Sequence, residues 1–134
     1  WLDLIITHRL QMANPTDCLL TVYDYPATQC ALARVRPGNP PLASRFEIYL
    51  GARELANGYH ELNDAIERAR RFERDVALRK TRGLAAPAID RHLLAALPDL
   101  PDCAGVAMGV DRLLMCVLAV DDIRDLLAFD FARA

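Results

Sequence analysis

Between Cys103 and Leu118 the chain changes its periodicity at one residue, and few folds accommodate such a change. Gly105, Ala107 and Gly109 alternate with Val106 and Met108. Alternate residues of a strand point to opposite faces, so one face is almost bare and the other apolar. A bare strand face marks a place where a ligand or another backbone comes close. After Gly109 the spacing becomes helical: Val110, Leu113, Leu114, Val117 and Leu118, with Met115 and Cys116 between them. A helix apolar on most sides is expected to be a buried core helix. Its first turn holds Asp111, which suits the positive end of the helix dipole, and Arg112, which does not. Such an arginine either leaves the helix to meet an anion or is an ordinary surface residue. The stretch alone leaves the two even.

A second constraint lies upstream. Arg45 to Leu50 alternates polar and apolar residues, with Arg45, Glu47 and Tyr49 on one face and Phe46, Ile48 and Leu50 on the other. Gly51-Ala52 fits a two-residue hairpin loop, with glycine first as a type II′ turn requires. The return strand then pairs Tyr49 with Glu54 and Glu47 with Ala56, and sets Ile48 against Leu55 on the core side. Glu47 and Glu54 fall on the same face. Two carboxylates so placed repel unless a cation lies between them, and oxygen ligands of this kind suit Mg²⁺. A solvated polar face is the other reading, and the hairpin alone favours it. By strict alternation Asn57, Tyr59 and Glu61 face away from Glu54. A bulge at Gly58 would turn them back.

The remaining elements follow in order. Leu2 to Ala13 fits a helix that begins as though entered from its N-terminal side at Trp1, which suggests a piece of a longer protein. Leu19 to Tyr25 is a strand, Ala27 to Val35 is ambiguous, and 37–41 is a proline-rich loop. Asn63 to Arg82 is an amphipathic helix with a capping box at Asp64 and Glu67. Its apolar stripe is Leu62, Ile66, Ala69, Phe72 and Val76. Its basic face of Arg68, Arg70, Arg71 and Arg74 is mixed with acids and reads as solvated rather than as a nucleic-acid surface. Ala88 to Leu97 is a shorter helix, Ile123 to Leu127 a turn, and Ala128 to Phe131 a last strand. At 134 residues and a net charge of −2, the chain is long enough for one core and has no general attraction to nucleic acid. No run is long enough to span a membrane. Cys18, Cys30, Cys103 and Cys116 have no spacing for zinc and read as free thiols of a reducing cytoplasm.

The string GVAMGVDRLLM resembles the third signature motif of class II aminoacyl-tRNA synthetases, a strand–helix join whose arginine holds the ATP phosphates. RFEIYL, ELANGYHELNDA and GVDR, in that order and spacing, resemble the C-terminal half of a class II lysyl-tRNA synthetase catalytic domain. The resemblance implies an α+β fold in which helices flank an antiparallel sheet, with residues 1–134 forming only the C-terminal portion of the domain. It implies ATP contacts from Glu47, Glu54, Leu55, Gly109 and Arg112, with Arg112 catalytic and Mg²⁺ on Glu47 and Glu54. Lysine would meet Asn57, Tyr59, Glu61 and Ala107, with Glu61 as the partner of its ammonium, because an unpaired buried charge is costly.

Some positions depart from the tRNA enzyme. Ala56 and Ala107 stand where it usually has glycine, and Phe129-Asp130 stands where it ends in Phe-Pro. Together with DYPATQCALA and PDCAGVAMGVDR, these resemble the elongation factor P–lysine ligases, shortened synthetases that activate lysine, preferably the β-isomer, and transfer it to a lysine of elongation factor P. A methyl at Ala107 would crowd an α-amino group and leave room for a shifted one. Under this resemblance the dimer-forming first motif and the α-phosphate arginine of the second lie upstream of Trp1, and the isolated piece is expected to be inactive. The alternatives are a fragment of lysyl-tRNA synthetase, for which tRNA is the acceptor, and a non-catalytic synthetase-like module. Retention of Glu47, Glu54 and Arg112 argues against the module.

Overall fold

The computed structural model describes residues 2–133; Trp1, where the reading of a helix entered from upstream begins, lies outside the described residues. The chain is α+β, with an antiparallel sheet and flanking helices. It opens with one helical run: α1 (Leu2–Ile5), a π-helical segment (Ile6–Leu10) and α2 (Gln11–Ala13). Asn14 closes it, its side-chain amide donating to the carbonyls of Cys18 and Gly51. The strands are β1 (Leu19–Pro26), β2 (Val35–Arg36), β3 (Leu42–Leu50), β4 (Arg53–His60) and β5 (Ala104–Met108). Their order is β1-β3-β4-β5, and β2 pairs with the start of β3. The segment Ala27–Gln29, ambiguous in the sequence, is a 3₁₀ turn.

The β3–β4 hairpin turns at Gly51-Ala52. Gly51 has φ +55°, and Ala52 is not among the residues with positive φ, as a type II′ turn requires. Tyr49 pairs with Glu54 as expected, but the register then shifts. Ile48 pairs with Ala56 and Glu47 with Asn57, rather than Ile48 with Leu55 and Glu47 with Ala56. Leu55 is therefore the extra residue of a bulge, three positions before the glycine expected to provide one. Gly58 is small for a different reason. A Cβ there would run into the Phe46 ring and lie 2.8 Å from the Gly105 carbonyl oxygen.

The helices of the second half are α3 (Ala65–Thr81), α4 (Arg91–Ala96) and α5 (Val110–Leu118). Asp64 caps α3 by accepting from the N–H groups of Ile66 and Glu67, and Asp90 caps α4 in the same way. The face of α3 read as solvated is divided. Arg68 and Arg71 are buried, while Ile66, assigned to the apolar stripe, is 69% exposed. The burial is possible because Arg71 donates to the carbonyls of Ala31 and Ala33 and pairs with Glu67, which satisfies a guanidinium that burial alone would penalise.

Helix α5 is not a buried core helix. Only Met115 is buried, whereas Val110 and Val117 are 70% and 71% exposed, since no described element covers those flanks. Ala128 to Phe131 is not a strand. The Asp130 carboxylate accepts from the N–H groups of Ala132 and Arg133 and bends the chain into a turn. The core sits under the N-terminal helical run, where Ile6, Tyr25, Cys30, Ala33, Ala43 and Tyr49 cluster with Tyr59 packed against them. Among the described residues no helix is long and apolar enough to cross a membrane, and all four cysteines are free.

Candidate active site

The bulge at Leu55 assembles the site. Cross-strand partners share a face, so Glu54 lies with Tyr49 and hence with Glu47, two residues along β3. Without the extra residue, Asn57 and Tyr59 would point away. With it, they pair with Glu47 and Arg45 on that same face. On the other edge of β4, Ala107 pairs with Asn57 and Gly105 with Tyr59. The bare side of β5 thus continues the acid face, and Val106 and Met108 point the other way. The bulge that turns Asn57 and Tyr59 to this face lies at Leu55, not at Gly58 where the sequence suggested one.

Glu47 sits at the centre and is only 7% exposed. Its Oε2 accepts from the hydroxyls of Tyr25, at 2.6 Å, and Tyr49, and its Oε1 accepts from Arg45. Tyr25 reaches it because the β1–β3 pairing is irregular at Asp24, whose φ of 59° lies in the left-handed region. The Arg45 guanidinium also lies over the Tyr25 ring, 4.3 Å from its centroid, and donates to the Gln29 carbonyl. Burial alone would raise the Glu47 pKa, but the two tyrosine hydroxyls and Arg45 outweigh it and hold the carboxyl below its ordinary value. Tyr25 is driven the other way, first by burial and then by its bond to the carboxylate, so its phenol stays protonated well above the ordinary range. Arg45 and Tyr49 share a face with Glu47 in the sequence pattern and so were legible as its neighbours. Tyr25 was not, because nothing local specifies the register of β1.

Glu54 lies at the mouth of the site, its side chain 35% exposed. Arg112 reaches it from α5, donating from Nη1 to the Glu54 carbonyl at 3.0 Å, with the same nitrogen 3.8 Å from Oε2. The side chain thus folds back to the hairpin instead of lying along the helix. Gly109 makes room for it, since a Cβ there would be 3.3 Å from Arg112 Cδ. The Gly109 N–H donates to the Leu55 carbonyl at 2.9 Å, which ties the strand–helix join to the bulge. Leu55 contributes this backbone contact, and the residue is buried. Glu54 and Arg112 line an open cleft of about 760 Å³, with Arg53, Met115, Cys116 and Asp121 among its other walls.

Glu61 continues past β4. Its N–H donates to the Cys103 carbonyl at 3.0 Å, its own carbonyl accepts from Arg34 Nε at 2.8 Å, and it bridges to Ala33. Its carboxylate lies over Gly105, where a Cβ would overlap Oε1. Just outside, Asp102 accepts from His60 at 2.7 Å and pairs with Arg34 at 2.9 Å, which fixes the loop leading into β5. The hydrogen bond from His60, and then the Arg34 charge, lower the Asp102 pKa.

A carboxylate has about four lone-pair sites. Glu47 uses two on Oε2 and one on Oε1, which leaves one for a cation. Glu54 is partly open, and among the described residues the ion pair found for it is with an exposed arginine. This donor set fits a hard cation that takes one or two carboxylates and completes its shell with phosphate and water. Among the described residues no group of three or more His, Cys, Asp or Glu side chains is arranged as an all-protein metal site.

A family model for class II tRNA synthetases (D, K and N) matches residues 3–133. The chain is 52% identical over 114 residues to the elongation factor P--(R)-beta-lysine ligase of Vibrio cholerae serotype O1, covering 84% of this chain and 35% of that protein. The proteins of the same name from Haemophilus ducreyi and Klebsiella pneumoniae strain 342 are 50% identical over 131 residues and 46% identical over 134. These alignments cover 97% and 99% of this chain, and 39% and 41% of the two relatives. The chain therefore spans between 35% and 41% of the length of these curated relatives.

Proposed function

Because this chain belongs to the class II (D, K and N) tRNA synthetase family, we propose that it is the C-terminal part of the catalytic domain of an ATP-dependent lysine ligase. The complete polypeptide activates lysine, preferentially the β-isomer, as an adenylate and transfers it to a lysine side chain of elongation factor P. The observation that carries this reading is the shared name of relatives 46–52% identical over most of the chain, from three genera. The face assembled by the Leu55 bulge supplies the chemistry.

Each residue of that face has a role in this reading. Glu61 accepts the side-chain ammonium, and Asn57 and Tyr59 flank it. Gly105 leaves room for the carboxylate, and the Ala107 methyl crowds an α-amino group while leaving space for one displaced along the chain. Arg112 leaves Glu54 and grips the γ-phosphate with two parallel donors, which opposes the charge that develops on departing pyrophosphate. Glu54 and the spare lone pair of Glu47 hold Mg²⁺, which when bound neutralises charge on the triphosphate. The protein works as a homodimer in the cytoplasm, with the dimer contacts and the α-phosphate arginine supplied by segments upstream of this chain.

The test is acceptor choice. The complete polypeptide is incubated with ATP, Mg²⁺ and labelled β-lysine, together with either elongation factor P or lysine tRNA. Label on elongation factor P is expected. Label on tRNA alone would favour a lysyl-tRNA synthetase, and label on neither would favour a non-catalytic module.

A further inference from the structure

Glu61 has a buried cation behind it. Arg68, on the inner side of α3, is 5% exposed, and its Nη2 donates to the Leu62 carbonyl at 2.6 Å. The same nitrogen lies 3.6 Å from Glu61 Oε2, and the Glu61 side chain is 23% exposed. Among the described residues the buried Arg68 Nε finds no hydrogen-bond partner. A guanidinium withdrawn from water needs a counter-charge. Glu61 is the one acid found paired with it among the described residues, because Glu67 is taken up by Arg71 and Arg70. The backbone of Glu61 is already fixed by Cys103, Arg34 and Ala33. Only the direction of its carboxylate is left to set, with Arg68 on the Oε2 side and the bare Gly105 under Oε1. At 3.6 Å the arginine attracts the carboxylate without taking up a lone pair in a hydrogen bond.

We propose that Arg68 is a positioning residue for the amino-acid substrate: it directs the Glu61 carboxylate over Gly105 and leaves Oε1 free for the substrate's side-chain ammonium. This rests on the reading of Glu61 as the ammonium partner. Sequence periodicity placed Arg68 among solvated residues, and its position in the fold gives it this task.

The experiment compares Arg68→Met, Arg68→Lys and Glu61→Gln in the complete polypeptide, by pyrophosphate exchange with varied β-lysine and varied ATP. Misplacing a binding group by about 1 Å costs on the order of 10²-fold, so Arg68→Met should raise the KM for β-lysine by about 10- to 100-fold. The KM for ATP should stay unchanged, and Arg68→Lys should recover part of the loss. A second measurement needs no substitution at Arg68. In the NMR spectrum of the wild-type protein the Arg68 Nε–H signal should shift as Glu61 is protonated, and the shift should vanish in Glu61→Gln. If Glu61→Gln raises the KM for β-lysine but Arg68→Met does not, the positioning role is overturned while the reading of Glu61 stands. If Glu61→Gln leaves that KM unchanged, the ammonium reading falls and the proposal falls with it. An Arg68 signal indifferent to Glu61 also overturns it, including where Arg68→Met fails to fold.

Discussion

Replacing Glu47 by Gln keeps its shape and removes its charge, and the arrangement around it gives the consequence. The carboxylate accepts from Tyr25, Tyr49 and Arg45, and it is nearly out of solvent. A carboxamide has one oxygen. If it faces the two hydroxyls, its NH₂ meets the Arg45 guanidinium, donor against donor. If it faces Arg45, both hydroxyls lose their acceptor. The first arrangement loses one hydrogen bond to a charged group, about 1.5–3 kcal/mol, and leaves Arg45 without its counter-charge. Breaking a buried pair from one side costs about 3–5 kcal/mol in all. Set against a typical total of about 5–15 kcal/mol, that is a large share of the stability of a domain. Urea unfolding of wild type and Glu47→Gln at pH 7 measures it. The pH dependence has a fixed sign. The Glu47 pKa is lower folded than its ordinary 4.5, so its stabilisation is present above that value and is lost as pH falls through the folded pKa. The gap between wild type and variant should narrow as the pH is lowered. A loss under about 1 kcal/mol at pH 7, below the range for a buried pair, or a gap that widens in acid, would show that Glu47 is not a paired, buried carboxylate.

Gly58→Ala should destabilise the chain by about 1–3 kcal/mol, because its Cβ meets the Phe46 ring and the Gly105 carbonyl; equilibrium unfolding checks it. Ala107→Gly should raise activation of α-lysine relative to β-lysine, measured as the ratio of kcat/KM for the two isomers. The 134-residue chain by itself should give no pyrophosphate exchange. Light scattering should show it self-associating through the exposed Val106, Met108, Val110 and Val117.

The hairpin turn and the bare strand were legible because their causes are local, although the equally local Asp130 turn was missed. The two-residue turn fixes the pairing of Tyr49 with Glu54, and the run of small residues at 105, 107 and 109 fixes the bare face of β5. The bulge was not legible at Leu55, because an ordinary leucine there has no local signature; it is tied in by the Gly109 N–H, a contact across more than fifty residues. Gly58 drew attention as the permissive residue, but its smallness serves the Phe46 ring. Arg68 and Arg71 were misread for a related reason. Arginine on a helix is ordinarily solvated, and only the carbonyls of Ala31, Ala33 and Leu62, brought in by the fold, allow these two to be buried. The apolar content of α5 pointed to burial, but among the described residues only Met115 of the helix is buried, because composition does not say which elements pack on it.

In the proposed function the face made by β3, β4 and β5 activates lysine with ATP and Arg112 acts on the phosphates. Lysine-dependent pyrophosphate exchange by the complete polypeptide, wild type against Arg112→Ala and Arg112→Lys, tests it most directly. Loss of one preorganised donor to the developing charge should lower exchange by on the order of 10²–10³-fold. Lysine, a point charge without the planar fork, should restore only part of it. The melting temperature should hardly move, because the Arg112 side chain is 55% exposed and lies outside the core. Near-normal exchange by Arg112→Ala would contradict the account and leave Arg112 an ordinary surface residue that pairs with Glu54.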